Sequence, residues 1–341
     1  MKAFDVKSII AEEVAALLGG RAGSLVDGEI IAGDGAKITL QDPATGDALL
    51  EYNSAGPALV AQAASGAARA QGIWQGLSGA ERGRRLWAMA PLLRQAAESL
   101  ARLESAQTGK PLRDARAEVA RVAEMAEYWA GWCDKIEGRI IPVPSGHTVM
   151  VRREALGVVL AITPWNAPIF TAGWNVLPAL AAGNAVLLKP SEFTPLTSLA
   201  LGLIAEQAGL PCGLFQVLAG PGQGTGAALL AAPEIAKVVF VGGVAAGRAV
   251  AATAAARGVP TVLELGGKSA NIVFDDADFA SAIQGAQQAI YAGSGQSCVA
   301  GSRLLVQRSL HDRFIAALAA APRRIRPLPR QETGHAAHGC R

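Results

Sequence analysis

From Ala155 to Leu188 the chain carries no charged residue, which leaves two places for that stretch: a lipid bilayer or a covered interior. Pro164, Pro168 and Pro178 interrupt it, with Asn166, Asn175, Gly183 and Asn184 alongside, so few windows of it pass through lipid unbroken. An interior is the better reading. The same stretch opens an alternation that runs on to the end of the periodic sequence. GVVLAI (157–162), NAVLLK (184–189), FQVL (215–218), KVVFV (237–241), TVLE (261–264) and NIVF (271–274) read as buried strands. Helical stretches lie between them near 171–182, 195–208, 224–231, 246–257 and 276–291. Thr194-Pro195 reads as a capping residue followed by a first-turn proline. Apolar runs without polar alternation fit strands covered on both faces, and strand–helix alternation predicts an α/β fold with a doubly wound parallel sheet.

Upstream, Trp74 to Thr108 reads as helical, with Leu86, Met89, Ala90, Leu93, Ala97, Leu100 and Leu103 recurring at spacings of three or four. Gly109-Lys110-Pro111 breaks that pattern, and a second helix is expected from about Arg113 to Cys133. The segment 136–155 alternates around a Pro/Gly turn and resembles a hairpin. SRLLVQ (302–307) and a helix near 310–321 follow, after which no period survives.

Charge and cysteine usage narrow the class further. The net charge is +3, and its excess sits in the last twenty residues, where five arginines stand against one glutamate. The body is close to neutral, which argues against a nucleic-acid partner. Four cysteines lie far apart, with no C-x-x-C pair, against both a disulfide framework and a zinc ribbon. The first residues, MKAFDVKSIIAEEV, lack the apolar core of a signal peptide. A soluble, cytoplasmic protein without a membrane partner is expected.

Two phosphate-binding fingerprints fail. Gly222-x-Gly224-x-x-Ala227 follows a strand, but no acidic residue stands about twenty positions later. Gly266-Gly267-Lys268-Ser269 resembles the end of a phosphate loop, yet Val262 occupies the position of the first required glycine. His335-x-x-His338-x-Cys340 lacks a fourth ligand nearby, so no metal site is expected.

Five polar positions call for more than a bland account. Asn166, in ITPWNAP (162–168), lies just past a buried strand between two prolines, where an amide is held at the carboxyl end of the sheet or simply forms a turn. Lys189 and Glu192 stand three apart at a strand's carboxyl edge, as a ligand-binding pair or a surface ion pair would. Glu264 interrupts TVLELGG. A buried carboxylate there must be paired or have a raised pKa, as a general base does. Cys298, in SGQSCVAG (294–301), is either a nucleophile or an inert buried thiol.

These strings converge. TPWNAP (163–168), PALAAGNAVLLKPSEFTP (178–195), ELGGKSANIVF (264–274) and GQSCVAGSR (295–303) resemble the aldehyde dehydrogenase superfamily in order and spacing. QTGKPLRDARAE (107–118) and YWAGWCDKIEG (128–138) are similar to the family's helical N-terminal region. The resemblance implies NAD(P)-dependent oxidation of an aldehyde to a carboxylic acid, on an atypical nucleotide-binding fold that accounts for the failed fingerprint.

By the same resemblance, Cys298 matches the nucleophile, which attacks the aldehyde carbon as thiolate. Asn166 matches the side-chain amide that receives the thiohemiacetal oxyanion, together with the backbone N–H of Cys298. Glu264 matches the base that activates water for hydrolysis of the thioester. Ile162, Pro164 and Trp165 match positions lining the nucleotide cleft, and Lys189 and Glu192 the ribose-contacting pair. A carboxylate at Glu192 accepts from a 2′-hydroxyl and repels a 2′-phosphate, so NAD is expected over NADP. Gly222 and Gly226 match glycines beside the adenosine, and Leu265 and Gly266 backbone beside the nicotinamide.

Two departures from the family pattern stand out. Phe240 to Gly247 reads FVGGVAAG where the family usually has F-T-G-S-T-x-x-G, so Gly243 replaces a serine facing the pyrophosphate. The later E-x-F-G-P segment does not occur, and resemblance ends near Ala321, with a tail that reads like a shifted frame. The expected organisation is an NAD-binding domain at 1–135 and 156–265, an oligomerisation hairpin at 136–155, a partial catalytic domain at 266–321 and an unrelated, disordered tail at 322–341. The family implies a homodimer or homotetramer through the hairpin, with one partner strand missing here. The alternative function is an impaired member that at most binds NAD.

Overall fold

The structure, a computed structural model, describes residues 6–144 and 146–320. Its centre is a seven-stranded sheet of β1 (Ser24–Val26), β2 (Glu29–Ile31), β7 (Val158–Ile162), β8 (Ala185–Lys189), β9 (Phe215–Val217), β10 (Ile235–Gly242) and β11 (Thr261–Leu265), in the order β11-β10-β7-β8-β9-β1-β2. The five strands from β7 onward are parallel, and β1 and β2 add an antiparallel edge. Every residue of β7, β8 and β9 is buried, as uninterrupted apolar runs require.

Crossovers α6 (Pro168–Ala181) and α7 (Leu196–Gln207) pack on one face. On the other, α2 (Pro57–Gly76) lies against β7, β8, β9 and β1 and touches α8 (Ala227–Ala231), which in turn touches α9 (Val244–Ala255). Outside α6 and α7 sit α3 (Gly79–Gln95), α4 (Ala97–Thr108) and α5 (Leu112–Ala130). Helix α1 (Val6–Leu18) packs on α4 and α7. The sheet is doubly wound.

Local chemistry sets these boundaries. Helix α4 ends because Gly109 takes φ 78°, the left-handed conformation that glycine adopts without strain. Ser78 and Glu81 form a reciprocal capping box that opens α3, and thereby splits the span expected as one helix from Trp74 to Thr108. Helix α5 lays Ala115, Val119, Val122, Ala123 and Ala126 on the core, and its Val122 sits where only Gly173 of α6 admits it. Fully buried Trp74 donates its indole N–H to the Leu180 carbonyl at 2.8 Å.

A second, smaller apolar cluster gathers Val273, Ala286 and Phe314 from β12 (Ala270–Val273), α10 (Phe279–Tyr291) and α11 (His311–Ala320), with β13 (Arg303–Val306) pairing parallel to β12. Two antiparallel ribbons complete the fold: β3 (Lys37–Gln41) with β4 (Ala48–Asn53), and β5 (Arg139–Ile141) with β6 (Val149–Val151). The latter is the expected hairpin, exposed at every residue of both strands.

Three expectations need correction. TVLE is not buried on both faces, because β11 is the sheet's edge strand and alternates between exposed and half-buried residues. NIVF belongs to the small β12–β13 sheet, where Ile272 remains 58% exposed. Thr194 does not cap α7: its hydroxyl donates to the Trp165 carbonyl at 3.1 Å, and Pro195 stands at the helix boundary. The tail from 322 and His335, His338 and Cys340 lie outside the described residues.

Candidate active site

The strand order fixes where a ligand can sit. The chain runs outward from β7 through β8 to β9, then returns to β7's other side with β10 and β11. Such a reversal opens a crevice beyond the carboxyl ends of the strands that flank it. The ladder aligns Ile162 with Lys189 on one side and with Phe240 on the other, and Gly242 with Leu265. Ile162, Lys189 and Leu265 therefore share one rim.

The 163–168 segment crosses this rim into α6. The Thr163 N–H binds the Lys189 carbonyl at 3.0 Å, and the Thr163 hydroxyl is buried without a partner among the described residues. Pro164 is half-buried and Trp165 46% exposed. The Asn166 amide donates to the Gln296 carbonyl at 2.7 Å, reaching the loop that carries Cys298. One amide hydrogen is spent there. The other stays available to a second acceptor.

Beneath this segment lies a buried charge cluster that the residues alone did not announce. Lys110, 1% exposed, sits between Glu104 at 3.1 Å and Glu118. Glu104 in turn accepts from Thr197 and from the Ile169 N–H in the first turn of α6, and Gln107 accepts from the Leu196 N–H at the start of α7. A carboxylate at a helix N-terminus is favourable, so this network fixes the starts of both helices that follow the rim loops. Among the described residues, Lys110 is the one cation set against both carboxylates in this network. Burial and the Glu104 charge push Glu118 up to about 7. The cluster's traces in the sequence are the Gly109-Lys110-Pro111 break after Thr108 and the QTGKPLRDARAE string (107–118), neither of which announces a buried ion pair.

Lys189 is 3% exposed, with its ammonium 3.3 Å from the half-buried Glu192 carboxylate. Desolvation lowers the Lys189 pKa and Glu192 opposes that shift. Tyr52 of β4 donates its hydroxyl to the Glu192 backbone carbonyl at 2.9 Å, so a ribbon absent from the sequence reading holds this turn. Around the pair the backbone is bare. Gly226, in a wide turn closed by its N–H to the Pro221 carbonyl, lies where an added methyl would meet only that carbonyl oxygen and the Lys189 stem, both at ordinary contact distance. At Gly222, Gly243 and Gly266 a methyl would meet nothing within 4 Å. Gly243 opens α9 without any side-chain cap, so the first N–H groups of that helix face open space. An elongated anionic ligand fits such a rim.

Cys298 is exposed, at the apex of a loop running from the end of α10 back to Gly301. Gly301 closes the loop by donating to the Ala289 carbonyl at 2.9 Å. Its ascending limb holds Gly293 (φ 57°), Ser294 (φ 61°) and Gly295 (φ 77°), three left-handed residues in a row. For serine that conformation costs about 1–3 kcal/mol.

Glu264 departs from expectation: it is exposed on the edge strand rather than buried. Among the described residues no hydrogen bond joins it to Asn166 or Cys298. The structure thus brings Asn166 to the cysteine loop and sets Lys189 beside Glu192, and it leaves Glu264 exposed on the edge strand. No group of three or more His, Cys, Asp or Glu able to hold a metal occurs among the described residues, and no described helix is long and apolar enough to cross a membrane.

Comparison with known proteins converges with this architecture. The profile of the aldehyde dehydrogenase family matches residues 30–336, past Ala321, where the sequence reading ends the resemblance. A betaine aldehyde dehydrogenase of Bacillus subtilis (strain 168) is 39% identical over 306 residues, covering 88% of this chain and 62% of its own length. The chain therefore spans less than two thirds of that relative. Among solved structures, PnpE in complex with nicotinamide adenine dinucleotide superposes with a TM-score of 0.87 at 38% identity, covering 91% of this chain and 64% of that one. Betaine aldehyde dehydrogenase from Staphylococcus aureus in complex with NAD+ gives 0.88 at 33% identity, covering 93% and 64%. With its family profile matched across most of its length, the chain belongs to the aldehyde dehydrogenase family.

Proposed function

We propose that this chain forms the nucleotide-binding part and the cysteine loop of an NAD-dependent aldehyde dehydrogenase of the hydrolytic type, which oxidises an aldehyde to a carboxylic acid in the cytoplasm. The observation that carries the reading is the Asn166 amide on the Gln296 carbonyl, two residues before Cys298. That bond supports the reading because it brings a side-chain amide to the loop that carries the thiol.

In this reading Ile162, Pro164 and Trp165 line the nucleotide cleft, and Lys189 and Glu192 bind the adenosine ribose. Gly222 and Gly226 flank the adenosine, Gly243 heads the helix that faces the pyrophosphate, and Leu265 and Gly266 border the nicotinamide. The open backbone at Gly222, Gly243 and Gly266 and the uncapped α9 support that fit. Bound NAD supplies the two-electron acceptor; NADP is the alternative. The Cys298 thiolate bonds to the aldehyde carbon, and the second Asn166 hydrogen with the Cys298 N–H receives the oxyanion; losing one such donor costs ~10²–10³ in rate. Glu264 draws a proton from the water that cleaves the thioester. The separate apolar clusters support an NAD-binding domain at 1–135 and 156–265 and a catalytic portion at 266–321. The exposed hairpin at 136–155, with Ile140 74% and Met150 66% exposed, supports assembly into a homodimer or homotetramer.

Purified protein given NAD and short aldehydes forms NADH, and Cys298→Ala abolishes it. NADH formation unchanged in that variant rejects the assignment. A second reading, NAD binding with little turnover, is favoured by the exposure of both Cys298 and Glu264, since such chemistry runs best where water is excluded. Calorimetric NAD binding without NADH formation would establish it, and robust turnover would eliminate it.

A further inference from the structure

The turn that leads into the cysteine loop hangs on a carboxylate that the proposed chemistry does not use. Helix α10 ends with the Ala292 N–H on the Gln288 carbonyl. The next N–H, that of Gly293, turns left-handed and away from the helix, while the Ala289 carbonyl is met by Gly301. A backbone donor released in this way needs an acceptor. Asp114, in the first turn of α5, provides it: Oδ2 accepts the Gly293 N–H at 3.0 Å, across 179 positions of sequence. Its Oδ1 is held at 2.9 Å by the Arg113 guanidinium, so the carboxylate is fixed in orientation.

We propose that Asp114 is a positioning residue, which pins the left-handed turn at 293–295 and, with Asn166, determines where the Cys298 thiol stands. Two tethers act on opposite ends of one short segment. Asp114 takes a donor at Gly293 and Asn166 offers a donor to the carbonyl of Gln296, so the limb between them can neither slide nor rotate freely. Both tethers originate in the sheet-and-helix body that bears the rim, so the thiol is registered to the rim and not only to α10. Ser294 stays left-handed against its own preference because Gly293 before it and Gln296 two positions after it are held. The catalytic meaning rests on the reading of Cys298 as nucleophile; the test below does not.

The experiment uses the full chain, without NAD or aldehyde. Iodoacetamide alkylation is followed by mass spectrometry of the Cys298 peptide, with exposed Cys212 as internal standard, beside hydrogen–deuterium exchange of peptides covering 292–301. Asp114→Ala is expected to change the Cys298:Cys212 rate ratio at least threefold and to speed exchange at 292–301, while peptides of 115–130 keep their protection. Asp114→Asn, which loses the charge but keeps an acceptor at the same place, restores both readouts to within twofold of the parent. A purely helix-stabilising charge would fail equally in both variants. Should Asp114→Ala not fold, Asp114→Leu makes the same comparison. An unchanged rate ratio in the folded acceptor-free variant overturns the proposal, as does an asparagine variant that behaves like alanine. Absence of turnover in the parent would strike the functional reading and leave these readouts intact.

Discussion

The Asn166 side-chain amide donates to the main-chain carbonyl of Gln296, joining residues 130 positions apart across the gap between the rim loop and the cysteine loop. The bond needs a donor at position 166. Asn166→Asp replaces it with a carboxylate that repels the carbonyl, and a lost bond of this type is worth about 0.5–1.5 kcal/mol before repulsion is added. Deuterium uptake in peptides covering 292–301 is expected to rise, with β7 and β8 unchanged.

Glu192 makes the second prediction. Its carboxylate sits 3.3 Å from the buried Lys189 ammonium, and in the proposed function it accepts from a ribose hydroxyl and repels a phosphate. A charged hydrogen bond is worth roughly 1.5–3 kcal/mol, so Glu192→Gln is expected to weaken NAD about tenfold or more while narrowing the gap to NADP. Calorimetric titration with both nucleotides measures it.

Gly243 offers a gain rather than a loss. It has an extended conformation (φ −74°, ψ 149°) suited to any N-cap residue, and space in front of it. Gly243→Ser adds a cap worth a few tenths of a kcal/mol over glycine. It also places a hydroxyl at the amino end of α9, which in the proposed function faces the pyrophosphate. Thermal unfolding shifts slightly upward, and NAD binding tightens a few-fold.

The Lys110 cluster predicts a pH dependence. Glu118 keeps its proton in the folded protein up to about pH 7, against an ordinary value of 4.5. Between those values the native state binds more protons than the unfolded chain, so this residue's contribution is full below pH 4.5 and is lost as pH rises through 7. Glu118→Gln, which titrates nowhere in that window, flattens the fall, as chemical denaturation at pH 5 and 8 would record. Lys110→Ala, by leaving the buried Glu104 carboxylate without its cation beside the half-buried Glu118, costs about 3–5 kcal/mol.

What could be read from the residues follows from how each signal is written into the chain. GVVLAI and NAVLLK announce themselves because a strand buried on both faces must be apolar throughout. The small strands β1 to β4 mix polar and apolar residues over three to six positions, below the length at which a period shows. TVLE misled for the opposite reason. Its composition suits an interior strand, but edge position depends on the order in which strands assemble. Asn166, Lys189 and Cys298 were legible as motif positions. Asp114, Tyr52 and Glu104 act through partners 179, 140 and 93 positions distant, and no local pattern encodes such a meeting.

The alignment of Ile162 between Lys189 and Phe240 has a bearing on how this chain can vary. Loops that leave the rim can lengthen or shorten and still return to the same hydrogen-bond ladder. Deleting a single residue inside β8, by contrast, would carry Lys189 to the opposite surface of the sheet, away from Glu192. Evolutionary tinkering around the Lys189–Glu192 pair is thereby confined to side-chain replacement and loop exchange, while the lengths of the central strands behave as a fixed ruler.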